Sequence, residues 1–344
     1  MSDEIEKIKR LFNPEQSESA LLRYNTIIFD PEMKETYTSF KKGIHSNCKP
    51  GSKRDFFISV FKEEFLTYIR GARRVLDIGC GVGWPTFLLA PYVRTIVGID
   101  LSEEMIKLAK IANKKKYKMQ NVFFKIANAE RLPFSDAIFD AVIMDGSLVL
   151  TTDKNKVVKE IYRVLTPKGK VVCKELMWPK FVRKNVSYYN EGGRIIKYKN
   201  SFWVIYPVAE LNPPKEAEFY FKVAEGSGLY ERLLNLDRDE ISRIRIKDLR
   251  AIKSAVEKSF YFEVEQFDPF LLRGLFERNG FKEIVVEGFS GDVVNYLWDK
   301  RLLEALVSHK EEIVKILIEI KQYLDCSKFE NCILFAKKCN GHED

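Results

Sequence analysis

Short apolar runs alternate with amphipathic segments along the middle of the chain. The apolar runs are typical of strands buried on both faces, and the segments between them carry apolar residues at helical spacing. Strands that alternate with helices favour a parallel sheet covered on both sides. Five such strands are predicted in this part of the chain: 74–79 (RVLDIG), 95–100 (TIVGID), 121–127 (NVFFKIA), 139–145 (FDAVIMD) and 170–176 (KVVCKEL).

The alternation stops after residue 176 and resumes near residue 268. In the stretch between, 194–206 is typical of a hairpin with a turn at Asn200, and two helices are predicted at 213–236 and 239–259. The pattern then indicates, in this order, a helix at 268–281, a strand at 282–289, a helical region over about 293–325 and a final strand at 331–338. Residues 1–71 have an amphipathic helical pattern, which a loop at 41–54 interrupts.

Composition indicates a globular protein. The chain has 344 residues, of which 46% are hydrophobic and 13% aromatic, so a large core can form and a disordered chain is excluded. Apolar runs stay well short of the roughly 20 residues that cross a bilayer, so we expect no transmembrane segment. The charged N-terminal sequence MSDEIEKIKR lacks the apolar stretch of a secretion signal, and we therefore expect a cytoplasmic protein.

Charge and cysteine usage exclude several classes of site. The net charge of +8 comes from 57 basic and 49 acidic residues, and both signs are interleaved along the chain. A mixed, solvated surface is therefore expected, with no DNA partner, while RNA stays an alternative. The six cysteines form no C-x-x-C pair and there are three histidines, so we expect neither a metal site nor a disulfide framework.

Three alternating glycines follow the first predicted strand, in DIGCGVG (77–83). They do not fit the dinucleotide fingerprint G-x-G-x-x-G, because Trp84 and Thr86 stand where its last glycine would be, and no phosphate-loop Gly-Lys-Ser/Thr follows. Asp77 would face a cation more readily than a phosphate, and Asp100 ends the second strand, where a carboxylate can accept hydrogen bonds from a ribose diol. A ligand with a ribose, a cationic amino-acid part and no phosphate is S-adenosylmethionine.

Four stretches of the chain, in order, resemble the successive motifs of class I S-adenosylmethionine-dependent methyltransferases, and especially the branch with ubiquinone/menaquinone and sterol methyltransferases. The resemblance implies an α/β fold: a doubly wound, Rossmann-like sheet of seven mostly parallel strands with the last strand antiparallel, an N-terminal helical cap and a large α+β insert after strand five. The stretches are VLDIGCGVGWPTFLLA (75–90), VGIDLSEEMIKLAK (97–110), ANAERLPFSDAIFDAVI (127–143) and EIYRVLTPKGKVV (160–172).

Four segments of the chain follow from the pattern and the resemblance together. The predicted segments are an N-terminal helical cap and lid (1–72), a donor-binding Rossmann-like core (73–176), an aromatic-rich substrate or lid insert (177–266), and a segment that completes the core sheet and carries long C-terminal helices (267–344).

The resemblance also implies which residues hold the methyl donor, whose product is S-adenosylhomocysteine. Asp77 and Gly79 would line its amino-acid end, and Asp100 would hold the ribose hydroxyls. Asn128 stands where the family often has Asp, and its amide oxygen could still accept from the adenine amino group. The other residues implied at the donor are Cys80, Gly81 and Gly83 in the loop, Leu101 and Met105 near the adenine, Ala129 through its backbone amide, Glu130, and Asp145.

The acceptor would meet the donor beyond the carboxyl ends of strands four and five. Asp145 and Glu175 end these strands and are candidate bases, and His45 in the N-terminal loop is a third. Each carboxylate could instead orient the substrate or cap a turn, and a loop histidine is often only solvated. The sulfonium methyl is already activated, so the protein must mainly align a nucleophile at about 3 Å and exclude water. A hydroxyl or acidic C–H acceptor usually needs a base as well.

Two apolar features bear on the acceptor and on assembly. The insert is rich in aromatic residues, which could wall an acceptor pocket or form the insert's own core: Trp178, Tyr188, Tyr189, Phe202, Trp203 and Tyr206. The late helix EEIVKILIEIKQYL (311–324) carries a wide apolar stripe. We expect that stripe to be buried, by default in the core, with the insert, a second copy of the chain or a lipid surface as other partners.

These observations predict an S-adenosylmethionine-dependent methyltransferase. It would transfer the methyl group to a small-molecule or lipid-like acceptor by in-line displacement. An RNA or protein methyltransferase and a non-catalytic module that binds the donor are the alternatives, and a homo-oligomer through the C-terminal helices is compatible with the stripe.

Overall fold

The computed structural model describes residues 4–16, 49–176, 191–198, 200–211, 214–265, 267–299, 302–323, 329 and 331–339. The helices described are α1 (Glu4–Phe12), α2 (Lys53–Ile69), α3 (Trp84–Leu89), α4 (Glu103–Ala112), α5 (Lys154–Val164), α6 (Gly228–Leu234), α7 (Arg238–Arg243), α8 (Pro269–Arg278), α9 (Ser290–Asp299) and α10 (Lys310–Ile320). The strands described are β1 (Glu15–Gln16), β2 (Arg74–Ile78), β3 (Thr95–Asp100), β4 (Val122–Ile126), β5 (Phe139–Asp145), β6 (Leu165–Leu176), β7 (Gly193–Tyr198), β8 (Ser201–Leu211), β9 (Pro214–Val223), β10 (Arg245–Ile246), β11 (Val256–Glu265), β12 (Phe281–Gly288) and β13 (Asn331–Lys338).

The chain divides into two compact units, each built from two separate stretches of sequence. The first unit joins Met1–Thr38 to Phe181–Gln266, and the second joins Ser39–Lys180 to Phe267–Asp344. The N-terminal residues are thus shared between the units, because α1 and β1 belong to the first and α2 to the second. The predicted cap-and-lid segment 1–72 therefore contributes to both units, and its residues 17–48 lie outside the described part of the chain.

The second unit contains a seven-stranded sheet in the order β12-β13-β6-β5-β2-β3-β4. The pairs β2–β3, β2–β5, β3–β4 and β5–β6 are parallel, and β13 runs antiparallel to both of its neighbours. This is the doubly wound α/β fold that the sequence predicted, including its antiparallel last strand. All the predicted core strands are confirmed.

Burial on both faces explains why the core strands are almost continuously apolar. Alternate residues of β2 enter different clusters, with Val75 on the face covered by α2, α3 and α4 and Leu76 on the face covered by α5 and α8. Residues typical of helix N-termini begin the helices α3 and α4. Pro85 lies in the first turn of α3, and the Ser102 hydroxyl caps α4 by accepting from the Met105 N–H. The parallel strands therefore end together at one edge, where ligands bind in open α/β sheets.

The late helical region is interrupted and only partly buried. Helix α9 and helix α10 are separate, with short 3₁₀ segments at Glu304–His309 and Lys321–Tyr323. Val314 and Leu317 are buried in a cluster with residues of α2 and α9. Ile316 and Ile320 are 49% and 37% exposed, so the default expectation of burial in the core was wrong for these two residues.

The first unit contains a six-stranded sheet in the order β1-β11-β9-β8-β7-β10. The hairpin predicted around Asn200 is confirmed as the antiparallel pair β7–β8. The helix predicted at 213–236 was wrong over its first half, because β9 occupies Pro214–Val223 and only α6 is helical. The helix predicted at 239–259 was also wrong, because α7 ends at Arg243 and β11 begins at Val256.

Among the residues that the structure describes, no helix combines the length and the apolar character needed to cross a membrane.

Candidate functional site

The glycine loop after β2 turns with three residues in the left-handed region. The φ angles of Gly79, Gly81 and Gly83 are +72°, +54° and +86°, a conformation that side chains disfavour. A Cβ on Gly83 would lie 2.7 Å from the Phe124 ring, and a Cβ on Gly79 would overlap the Ser147 side chain, whereas a Cβ on Gly81 would meet nothing within 4 Å. Two of the glycines thus permit tight packing, and Gly81 lines an open space.

Asp100, at the end of β3, holds this loop in place. Its Oδ2 accepts a hydrogen bond from the Gly81 N–H and its Oδ1 accepts one from the Ser102 N–H, both at 2.9 Å. Burial raises the pKa of Asp100, and these backbone N–H groups oppose that rise. The carboxylate predicted to bind a ribose therefore also joins the glycine loop to the start of α4.

Asp77, at the end of β2, is 1% exposed and accepts a hydrogen bond from the Thr86 hydroxyl at 2.5 Å. Burial raises its pKa to about 7, the Thr86 hydrogen bond opposes this, and the charges of Asp145 and Asp100 add to the rise. Asp145 and Asp100 therefore lie close enough to Asp77 to repel its negative charge at the carboxyl ends of the strands. A cationic ligand would relieve that repulsion, and a phosphate would increase it.

Two of the residues expected at the donor, Asn128 and Glu130, already accept hydrogen bonds from backbone N–H groups of the protein. The Asn128 Oδ1 accepts from the Glu130 N–H at 2.8 Å, and the Glu130 Oε1 accepts from the N–H groups of Thr152 and Asp153 at 3.0 and 2.9 Å. Glu130 therefore ties its loop to the start of α5. Further along the chain, Leu101 is 43% exposed and Met105 is 1% exposed, and Ala129 is half-buried.

An ion pair that the sequence did not reveal lies at the ends of β5 and β6. Lys174 Nζ lies 2.6 Å from Asp145 Oδ1, and the two residues are register partners on the parallel strands. The pKa of Lys174 is raised because the attraction of Asp145, with Glu175 and Asp292 adding, outweighs burial, the largest single influence, which lowers it. The charge of Asp145 is therefore neutralised within the fold.

Glu175 points to the opposite face of β6 and is fully buried. Its Oε1 accepts from the Leu148 N–H at 2.9 Å and from the Cys173 thiol at 3.5 Å. Its Oε2 is buried and has no hydrogen-bond partner among the residues that the structure describes. Burial raises the pKa of Glu175 to about 7, against the Leu148 hydrogen bond and the attraction of Lys174. The carboxyl can therefore exchange a proton near neutral pH.

A family model and curated relatives match part of the chain. Residues 69–225 match the family model described as "Methyltransferase domain". Over 108 residues, the chain is 42% identical to a demethylmenaquinone methyltransferase of Lactococcus lactis subsp. lactis (strain IL1403), covering 30% of this chain and 42% of that relative. Over 123 residues, it is 37% identical to the ubiquinone/menaquinone biosynthesis C-methyltransferase UbiE of Rickettsia prowazekii (strain Madrid E), covering 34% of this chain and 50% of that relative.

Residues 69–225 are therefore identified as a methyltransferase domain of the class I S-adenosylmethionine-dependent type. The chain spans about half the length of the curated relatives that it matches, 42% and 50% for these two. Among solved structures, the PH0226 protein from Pyrococcus horikoshii OT3 is similar at 18% identity, with a TM-score of 0.48, over 82% of this chain and 89% of that one. That likeness is too weak to bear on function.

The methyltransferase domain brings most of the predicted site residues to one edge. Asp77, the glycine loop and Asp100 lie beside one another, and Asp145 follows on the next strand, β5, with Glu175 on β6. Lys174 is the functional candidate that sequence reasoning missed. Its signal was a lysine inside the apolar run KVVCKEL, directly before the candidate base.

Other predicted residues lie elsewhere. His45, Trp178, Tyr188 and Tyr189 fall outside the described residues. Phe202 is buried in the core of the first unit, which confirms for this residue the alternative that the insert's aromatics form a core of their own. Trp203 lies on the opposite face of that sheet, with its ring 5.4 Å from Phe260, and Tyr206 packs half-buried at the border of the core.

The side chains at the ends of β2 and β3 suit S-adenosylmethionine as the ligand. The ends of β2 and β3 offer carboxylates for a cationic ligand, and the space beside Gly81 would be filled by any side chain placed there. These features fit a sulfonium and an ammonium group better than a phosphate.

Proposed function

We propose that the chain binds S-adenosylmethionine at the carboxyl ends of β2 and β3 and transfers its methyl group to a small-molecule or lipid-like acceptor by in-line displacement. The observation that carries the proposal is the adjacency of two groups of residues: Asp77, Gly81 and Asp100 on one side, and Asp145 and Glu175 on the other. The donor supplies a methyl group on a positively charged sulfur, which leaves as the neutral thioether of S-adenosylhomocysteine.

The donor end depends on two carboxylates with different tasks. Asp77, ionised by contact with a cation, would hold the amino-acid end, and its Thr86 hydrogen bond fixes the orientation of the carboxylate. Asp100 would accept from the ribose hydroxyls with the lone pairs that Gly81 and Ser102 leave available. The same carboxylate keeps Gly81 in the conformation that leaves the adjoining space open.

At the acceptor end, we assign the proton-accepting role to Glu175 rather than to Asp145. Asp145 is neutralised by Lys174, which lowers its value as a base. Glu175 Oε2 has no partner among the described residues, and its pKa of about 7 is matched to a base that works near neutral pH. An acceptor with an acidic hydroxyl or C–H would use this group, and an amine acceptor would not need it.

The names of the relatives suggest which acceptor to test first. One of the two relatives described above is named as a demethylmenaquinone methyltransferase and the other as a ubiquinone/menaquinone biosynthesis C-methyltransferase. A hydroquinone has an acidic hydroxyl next to a nucleophilic ring carbon. It therefore suits a site with Glu175, whose carboxyl has a pKa of about 7 and could accept the hydroxyl proton. We therefore propose a hydroquinone as the first acceptor class, within the broader small-molecule or lipid-like class.

Donor binding is tested by titration calorimetry with S-adenosylmethionine. Asp100→Ala should weaken binding about ten- to a hundred-fold, because each lost hydrogen bond to a carboxylate contributes about 1.5–3 kcal/mol. Asp140→Ala is the matched control, since Asp140 Oδ2 also accepts two backbone N–H groups, of Arg73 and Arg74, but at the opposite end of β2. Equal donor affinity in the two variants would refute the assignment of Asp100.

Methyl transfer is tested by incubating the protein and labelled donor with a cell extract, followed by mass spectrometry of the labelled product. A labelled small molecule or lipid supports the proposal. Label in RNA or protein would favour the other methyltransferase class. Donor binding with no labelled product in any fraction would favour a non-catalytic module.

A further inference from the structure

A groove of about 550 Å³ lies within the first unit, between α1 and the segment 247–250. It belongs to a different unit from the donor residues, and no step of methyl transfer proposed above uses it. Four basic side chains line it: Lys7, Arg10, Lys247 and Arg250. Two carboxylates, Glu4 and Asp248, also line it, so the groove has a net charge of two positive units.

Three of these basic residues are available to a ligand. Arg10, Lys247 and Arg250 are exposed, and their side chains have no ion-pair or hydrogen-bond partner among the residues that the structure describes. Two carboxylates, Glu4 and Asp248, line the same groove, and among the described residues neither forms an ion pair with these three cations.

The two carboxylates are directed to groups other than these cations. Asp248 Oδ1 accepts from the backbone N–H of Arg250 at 2.9 Å, as the cap of the segment that follows. Glu4 and Asp248 both lie near the half-buried Tyr206, and their charges add to the effect of burial, the largest cause, in raising the pKa of its phenol. The carboxylates therefore offset two of the four positive charges without pairing with Arg10, Lys247 or Arg250, and a net charge of two positive units remains.

The floor of the groove is apolar. Ile8 and Leu249 are 5% and 6% exposed, and Leu11 is partly buried beside them. A purely ionic ligand would leave the exposed part of these side chains in contact with water. An anionic head joined to a short apolar chain would cover it and gain the free energy of apolar burial.

We propose that this groove binds a phosphate-bearing amphiphile. Arg10, Lys247 and Arg250 hold the phosphate, and the apolar chain lies along Ile8 and Leu249. A phosphate monoester carries about 1.5 to 2 negative charges at neutral pH, which matches the net charge of the groove, and guanidinium groups bind phosphate oxygens in pairs.

The test is titration calorimetry of the full chain with defined probes. Hexyl phosphate should bind about ten-fold or more tightly than inorganic phosphate, because its chain is buried on the floor. Hexyltrimethylammonium, with the same chain and the opposite charge, should not bind. Equal affinity for inorganic phosphate and hexyl phosphate would contradict the amphiphile, and no binding of either would overturn the site.

Variants of equal charge separate the groove from a general charge effect. The triple variant Arg10→Gln, Lys247→Gln, Arg250→Gln should weaken hexyl phosphate binding at least about ten-fold. The control Arg232→Gln, Arg243→Gln, Lys253→Gln removes the same charge from exposed positions of the same unit that do not line the groove. Equal loss in both would overturn the proposal. Thermal unfolding and S-adenosylmethionine affinity, which should not change, report on the fold of each variant.

A last comparison distinguishes a lipid headgroup from a dissolved phosphate ester. The chain is sedimented with vesicles of phosphatidylglycerol and phosphatidylcholine, or of phosphatidylcholine alone. Groove-dependent binding to the anionic vesicles supports a lipid source, and groove-dependent binding to hexyl phosphate only supports a soluble ester. Vesicle binding that the groove variant keeps in full contradicts the groove as the lipid site.

Discussion

Lys174 Nζ and Asp145 Oδ1 lie 2.6 Å apart across the parallel pair β5–β6. Their side chains are 13% and 25% exposed, so the pair is largely shielded from water. The ammonium also lies 5.3 Å from the centre of the Phe289 ring. A shielded ion pair fixes both side chains at the edge where the acceptor is proposed to bind. Because Lys174 neutralises its charge, Asp145 is also a weaker base.

Lys174→Met should destabilise the protein by about 2–4 kcal/mol, because it keeps the length of the side chain but leaves Asp145 shielded and unpaired. The double variant Lys174→Met, Asp145→Leu should recover much of this loss. Denaturant unfolding of the single and double variants measures the coupling free energy.

Lys156→Met is the control for that pair. Lys156 lies 3.2 Å from Asp153 and is 64% exposed, so its loss should cost less than about 1 kcal/mol. If the two lysine variants lose the same stability, the Asp145–Lys174 pair is no stronger than a surface pair.

Two glycine substitutions should separate folding from donor binding. Gly81→Ala should cost about 1–2 kcal/mol for its left-handed backbone and should strongly weaken donor binding, since the new methyl group enters the open space. Gly83→Ala has the same backbone cost, and its methyl group also meets the rings of Phe124 and Phe87, so it should lose about 1–3 kcal/mol more.

The measurements for this pair are thermal unfolding and calorimetry with S-adenosylmethionine. The expected order is a larger loss of stability for Gly83→Ala and, among molecules that fold, a larger loss of affinity for Gly81→Ala. The reverse order of affinities would show that the ligand does not pass close to Gly81.

Donor binding should release a proton from Asp77 in mildly acidic solution. Its pKa is raised to about 7 in the protein alone, so most molecules are protonated below that pH. A cationic ligand favours the ionised form and lowers the pKa, so affinity should rise with pH, by up to about ten-fold per unit, and level off above about 7. Calorimetry in buffers of different ionisation enthalpy counts the released protons.

Asp77→Asn should abolish this proton release and reduce affinity at neutral pH. Glu175→Gln should leave the release from Asp77 intact, because Glu175 is not proposed to contact the donor. Release that persists in full in Asp77→Asn would assign the proton to another group.

Glu175 should make the fold less stable as pH rises. Its pKa is raised from the ordinary 4.5 to about 7, so between these values the folded state holds a proton that the unfolded state has lost. The unfolded state is therefore favoured as pH increases through this range, by about 2–4 kcal/mol in total, and the effect is constant above it. Relative to wild type, Glu175→Gln should gain stability over the same range.

Glu160→Gln provides a control of opposite sign. The Arg163 side chain lowers the pKa of Glu160, so this residue stabilises the fold above its ordinary pKa and loses that contribution as pH falls. Urea unfolding of the wild type and both variants across pH distinguishes the two cases. A wild type and Glu175→Gln whose difference does not vary with pH would contradict the raised pKa.

The core sheet was predictable because its strands are buried on both faces and therefore read as apolar runs between helices. The first unit was harder, since its strands are long and carry charges. In β9, Ala217, Phe219 and Phe221 are in one cluster while Glu218 and Tyr220 point to the other face. This alternation has the period of a strand, but the Lys- and Glu-rich composition around it favoured a helix.

The candidate site was predictable where each residue lies at the carboxyl end of its own strand, as Asp77, Asp100, Asp145 and Glu175 do. The side-chain pairs between strands were not predictable, because they depend on the register in which the strands align. Lys174 meets Asp145 only because β5 and β6 pair in one alignment, 29 residues apart along the chain. A one-residue shift would place the lysine on the other face of the sheet.

Strand β13 lies inside the sheet, hydrogen-bonded to β12 on one side and to β6 on the other. Among the described strands, it is the last to leave the ribosome. Until residues 331–338 emerge, β12 has no neighbour in the sheet and one edge of β6 is open. The sheet of the second unit therefore stays incomplete until translation has passed residue 338, and a chain cut short before residue 331 would lose β13 and leave β12 without a strand to pair with.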